Sequence, residues 1–180
     1  MNDEQRFTEL YRRNYVAIES YVTKRADPSS VLDVVADVFL TAWRRFADVP
    51  KGKELPWLYG VARRTLANDR RSRQRQLSLA ELLDFQPSRI SGERQPDEVI
   101  VEMDLARAFD RLGFRDQEIL RLTLWEKLPI DECAMVMGCG TATARVRLFR
   151  ARKRLGGLLS GVDSARSLSD EGRSRKESHA

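Results

Sequence analysis

Apolar residues recur along this chain at steps of three and four, the spacing of one face of an α-helix. Over residues 4–25 the stripe is Phe7, Leu10, Tyr11, Ile18 and Tyr21, and Asp27-Pro28-Ser29-Ser30 then breaks it and caps the next element. From 30 to 46, Leu32, Val35, Ala36, Phe39, Trp43 and Phe46 form a core-facing stripe. The other face of that helix carries Asp33, Asp37, Arg44 and Arg45, together with Val34 and Val38, which this assignment leaves exposed. Pro50, Gly52 and Pro56 make 48–56 a loop. A third helix over 56–75 buries Leu58, Val61, Ala62 and Thr65, with Asp69 on the same line, opposite Arg63, Arg64, Arg70 and Arg71.

Between 77 and 98 the periodicity is lost among Pro87, Gly92, Pro96 and several serines, leaving room for one helical turn at 79–85. That composition predicts a flexible linker. Regular spacing resumes at Val99, Met103, Ala106, Phe109 and Leu112, then Ile119, Leu120, Leu122 and Leu124. After Pro129 come a short helix, 130–137, a turn at Gly138-Cys139-Gly140 and a helix from Thr141 to Leu155. Two helices joined by a glycine-bearing turn, the second strongly basic, make a helix-turn-helix signature. Residues 161–180 are rich in Ser, Arg, Asp and Glu and predict a disordered tail. The fold class is therefore all-α, with two small helical domains at 1–76 and 99–160 joined by the linker.

Composition adds where the charge lies. The net charge is +5, but residues 51–76 hold eight basic and two acidic side chains, and residues 77–104 two basic and seven acidic. Residues 145–155 hold six basic and no acidic ones. Two basic segments on well-patterned helices, separated by an acidic connector, point to two contacts with a polyanion.

Other chemistry is sparse. Two cysteines and one histidine, His179, supply neither a disulfide framework nor a zinc pattern, so no metal or cofactor is expected. Cys133 and Cys139 read as small packing residues with reduced thiols. The polar start MNDEQRF lacks an apolar signal region and no long apolar run occurs, so a cytoplasmic protein without membrane insertion is expected.

On the basic helix, Ala144, Leu148, Ala151 and Leu155 follow i, i+4, i+7, i+11 and pack inward. Ala142, Val146, Phe149, Arg150 and Lys153 then face outward, flanked by Arg145 and Arg147. An exposed Val and Phe suit a major groove that offers thymine methyls, while arginines there reach guanine edges or phosphates. An interdomain contact by Phe149 is the structural alternative.

These residues carry a resemblance. The stretch 130–155, IDECAMVMGCGTATARVRLFRARKRL, resembles region 4 of the extracytoplasmic-function (ECF, group 4) sigma factors of the sigma-70 family. The stretches 33–43, DVVADVFLTAW, and 57–75, WLYGVARRTLANDRRSRQR, resemble region 2 of the same family. The chain departs from the family pattern at Ala36, where glutamine is frequent, at Arg64, where asparagine is, at Val146, where a polar residue is usual, and at Gly140, where a Ser cap is usual.

The resemblance implies a non-enzymatic alternative sigma factor, switched on by a stress or envelope signal, that brings core RNA polymerase to promoter DNA. It implies contact of Asp33, Val34, Asp37 and Val38 with the clamp helices of the polymerase β′ subunit. It implies capture of the unpaired −10 strand by the 48–56 loop and the next helix, near Lys51, Lys53, Arg63, Arg64, Asn68, Arg70 and Arg71. It places Arg145, Val146, Arg147, Phe149, Arg150 and Lys153 on the −35 duplex, with the same domain touching the β flap, and it implies an anti-sigma factor as a further partner.

Two other classes compete. An autonomous helix-turn-helix regulator explains 99–158 but leaves 1–76 without a role. A nucleic-acid enzyme would need Asp33 and Asp37, one turn apart, to hold Mg²⁺, and no further acidic cluster, nucleophile–base pair or phosphate-cradling loop accompanies them.

Overall fold

The computed structural model describes the backbone of residues 2–82 and 99–177 and the side chains of 2–75 and 105–160. Seven helices run in chain order: α1 Asp3–Thr23, α2 Val31–Arg44, α3 Glu54–Leu82, α4 Val99–Asp110, α5 Phe114–Leu124, α6 Ile130–Met137 and α7 Thr141–Glu177. No strand occurs among the described residues.

Local chemistry explains the boundaries. Asn2 and Gln5 form a reciprocal capping box at the start of α1, satisfying amides that the helix leaves without partners. Asp27 accepts from the Ser29 amide at 2.9 Å and its hydroxyl at 2.6 Å, ahead of a 3₁₀ turn with Pro28 at its first position. Gly138 ends α6 at φ +63°, ψ +43°, a left-handed geometry that glycine adopts without the Cβ clash other residues suffer.

The chain divides into two compact units. The first, residues 1–89 with 128–141, holds α1, α2, α3 and α6. Its core is built by Leu10, Ile18, Tyr21 and Val22, by Val34, Val35, Val38, Phe39 and Ala42, and by Leu58, Tyr59, Val61, Ala62 and Leu66. Phe7 meets the edge of Trp43 at 5.0 Å and Tyr21 stacks on Tyr59 at 4.7 Å, tying α1 to both partners. The second unit, residues 90–127 with 142–180, holds α4, α5 and α7. There the Gln117 side chain donates to the carbonyls of Phe109, Asp110 and Leu112, at 3.1, 3.3 and 3.0 Å, and so caps the end of α4. Asp116 pairs with Arg154, and Phe109, Arg121 and Trp125 form a layered aromatic–guanidinium cluster.

Four expectations differ from the structure. Helix α2 is rotated: Val34 and Val38 are 3% and 0% exposed, whereas Leu32 is 71% exposed and Ala36 is also on the surface. The helix is apolar on more than half its circumference, so two stripes of helical spacing compete. The winning one, Val34-Val35-Val38-Phe39-Ala42, places three β-branched side chains and a ring in the bundle. Helix α3 runs to Leu82 rather than to 75, because no Pro or Gly stops it. The remainder of the expected linker, 83–98, lies outside the described residues. Helix α7 continues to Glu177 through residues expected to form a disordered tail, a stretch that contains no proline. Finally, α6 packs with α3 in the first unit, where the sequence grouped it only with its chain neighbours.

Candidate nucleic-acid interface

The basic helix α7 settles its orientation through two small residues. Ala144 and Ala151 are fully buried, and Leu148 and Leu155 are half-buried, as the inward stripe requires. Phe149 is 69% exposed and Val146 49%, with Arg145, Arg150 and Lys153 on the same open side and Arg147 half-buried beside them. Two large apolar side chains exposed together among cations mark a surface that a partner can cover.

A cleft of about 740 Å³ in the second unit extends this surface. It is lined by Gly113, Arg115 and Asp116 at the start of α5 and by Val146, Arg147, Arg150 and Arg154 of α7. Arg115 is a cation that the sequence reading missed; its place two residues after the glycine that opens α5 is the signal that could have found it. Arg154 is held by Asp116 at the edge of this cleft.

In the first unit, the loop before α3 and the helix itself carry the second cationic surface. Lys51, Arg64, Asn68, Arg70 and Arg71 are exposed and Arg63 is half-buried. Arg71 donates to the Asn68 side-chain oxygen at 2.5 Å, so these two neighbours act as a unit. Lys53 is half-buried: its ammonium reaches Glu132 Oε1 at 2.6 Å and Asp131 Oδ2 at 3.3 Å, both on α6. Those hydrogen bonds raise the Lys53 pKa above the ordinary lysine value and, from Lys53, lower that of Asp131. Beside this pair a cleft of about 500 Å³ is lined by Arg6, Arg13, Asn14, Phe46, Lys51 and Glu132, among others. Gly52 holds the loop at φ +76°, and its amide donates to Glu54 at 2.9 Å.

Helix α2 offers a third surface, and it is not the one the sequence indicated. Asp33 and Asp37 are exposed as expected, but Val34 and Val38 are core residues and face no partner. Leu32, Ala36 and Leu40, at i, i+4 and i+8, share the outer face with the two carboxylates, and Trp43, expected in the core-facing stripe, is also exposed there at i+11. Among the described residues no group of three or more His, Cys, Asp or Glu could hold a metal. No helix among them is long and apolar enough to cross a membrane. Cys133 is buried and Cys139 half-buried, both as free thiols.

A short helix, a three-residue glycine turn and a basic helix with exposed Arg, Val and Phe define a DNA-binding helix-turn-helix protein, here accompanied by a second cationic helical unit. Comparison with known proteins places it further. The sigma-70 region 2 family matches residues 10–76 and the sigma-70 region 4 family residues 102–155. The chain belongs to the sigma-70 family of RNA polymerase sigma factors, in its extracytoplasmic-function branch. RNA polymerase sigma factor NccH of Alcaligenes xylosoxydans xylosoxydans is 29% identical over 164 residues, 87% of this chain and 88% of the relative. The ECF sigma-E factor of Escherichia coli is 27% identical over 165 residues, 85% of this chain and 86% of its own.

The fold is shared with solved structures. The sigma factor RpoE from Bartonella quintana, in complex with the anti-sigma factor NepR, superposes with a TM-score of 0.64 at 20% identity, covering 87% of this chain and 98% of that one. CnrH in complex with the cytosolic domain of CnrY gives 0.57 at 23%, over 88% and 90%. The protein is thus an alternative sigma factor: an initiation subunit that binds core RNA polymerase and directs promoter recognition.

Proposed function

We propose that the three exposed surfaces divide the work of a sigma factor between them. The outer face of α7, with Arg145, Val146, Phe149, Arg150 and Lys153 and with Arg147 at its edge, reads the −35 duplex, and Arg115 adds a phosphate contact at the start of α5. The orientation of α7 carries this reading: buried alanines on one side and a solvent-held phenylalanine on the other. The loop 48–56 and α3 take the unpaired −10 strand. Lys51, Lys53, Arg63, Arg64 and Arg70 track phosphates there, while Asn68, coupled to Arg71, faces a base edge. Leu32, Asp33, Ala36, Asp37 and Leu40 on α2 meet the clamp helices of β′, and the second unit meets the β flap.

An anti-sigma factor is the natural further partner, since a protein of this fold has been solved with one. The chain works in the cytoplasm, where polymerase and promoters are.

The test is in vitro transcription with core polymerase and mapping of start sites. Discrete starts that require both core and this chain support the reading. A tight shift of duplex DNA by the chain alone, with no core-dependent starts, would favour an autonomous regulator.

A further inference from the structure

Lys53 stands in the loop proposed to receive the −10 strand, yet its ammonium is occupied. Glu132 and Asp131 hold it at 2.6 and 3.3 Å, and both belong to the first turn of α6. Glu132 also lines the cleft beside the loop, where Arg6, Arg13 and Lys51 face Glu9, Glu54 and Glu132, so its carboxylate is one of three that balance three cations there. A carboxylate at that distance from an ammonium makes the charge-assisted contact that a phosphate oxygen would make.

Charge alone would hold α6 weakly, because exposed ion pairs contribute little. The backbone adds to it. At Gly60 a Cβ would stand 3.8 Å from the Val136 Cα and 3.9 Å from the Met135 carbonyl oxygen, so α6 lies directly on α3 where α3 has no side chain. Val136 is 2% exposed and Met137 6%.

We infer that this surface is a docking site for the chain's own α6, and that the Asp131–Glu132 pair competes with single-stranded DNA for Lys53. Strand capture then requires α6 to leave α3. Because three residues join α6 to α7, the same contact links the −10 loop to the helix that reads duplex DNA. The inference rests on the proposed role of Lys53 in −10 binding.

The test uses the full chain and a short labelled single-stranded deoxyoligonucleotide of random sequence, with binding read by fluorescence anisotropy at low salt. Asp131→Asn/Glu132→Gln and, separately, Gly60→Leu, which puts a side chain where the α6 backbone lies without altering charge, are each expected to tighten binding about fivefold or more, an ordinary size for coupled sites. Lys53→Ala is expected to abolish the gain from the Asp131→Asn/Glu132→Gln pair, as a double-mutant cycle reports. No gain from either variant, with Lys53→Ala still weakening DNA binding when the acids are neutralised, overturns the competition and leaves the −10 reading standing. A gain that persists undiminished without Lys53 is bulk charge and also overturns it. Lys53→Ala without effect in any background removes the −10 role of Lys53 itself.

Discussion

Truncation of Val38 tests the rotation of α2, on which the proposed polymerase-facing surface depends. Val38 is fully buried, so Val38→Ala removes two methyl groups from the core of the first unit. At about 0.8 kcal/mol for each, the lost transfer is about 1.6 kcal/mol. A residual cavity of roughly 40–50 Å³, at about 24 cal/mol per Å³, adds about 1 kcal/mol. The expected loss is therefore about 2–3 kcal/mol, a large part of the stability of a small domain. Leu32→Ala, by contrast, alters a side chain that is 71% exposed and introduces a better helix former, so stability should stay within about 0.5 kcal/mol. Urea denaturation followed by far-ultraviolet circular dichroism measures both. Pull-down with core polymerase separates them further: Leu32→Ala should lose core binding while folded. A stable Val38→Ala variant beside an unfolded Leu32→Ala one would refute the rotation and restore Val38 to the surface.

Further outcomes follow from the other elements. Phe149→Ala should lower affinity for holoenzyme-bound promoters about tenfold, the size of one good base contact, with stability unchanged. Ala151→Leu should instead destabilise the second unit by about 1–3 kcal/mol through overpacking, seen as an earlier unfolding transition. Gln117→Leu should cost about 1–2 kcal/mol in the same assay, since three carbonyls at the end of α4 lose one donor group. The Asp27 carboxyl is held below its ordinary pKa, first by the Ser29 hydroxyl and amide and then by Arg73. Its contribution is present above the unfolded-state value and lost as pH falls through the lower folded value, so Asp27→Asn should flatten the acid limb of a stability–pH profile.

Most elements were readable in the sequence because their signals are local. Asp27-Pro28, Pro129 and Gly138 mark boundaries through their own backbone chemistry, and the α7 stripe is unambiguous because only one face of that helix is free of charge. Helix α2 was not readable to that depth. Its outward leucines and its inward valines both repeat at helical spacing, and only the volume available between α1 and α3 decides which set is enclosed. The Lys53–Glu132 contact joins residues 79 apart in sequence, a distance over which no periodicity speaks. Arg115 was passed over because it stands alone, whereas the α7 arginines come as a run.

The anchoring of α7 at Ala144 and Ala151 has a consequence for how such a protein changes over generations. Alanine has no rotamers to lose on burial and few atoms with which to constrain its neighbours. The positions that fasten the helix are thus distinct from those that face outward, and exchanges at exposed sites away from special features usually shift stability by no more than about 0.5 kcal/mol. Val146, Phe149 and Arg150 are consequently free to vary together, and, on the proposed −35 reading, a population of variants at those three sites would remain largely folded while dispersing over different promoters. The protein can be re-addressed without being rebuilt.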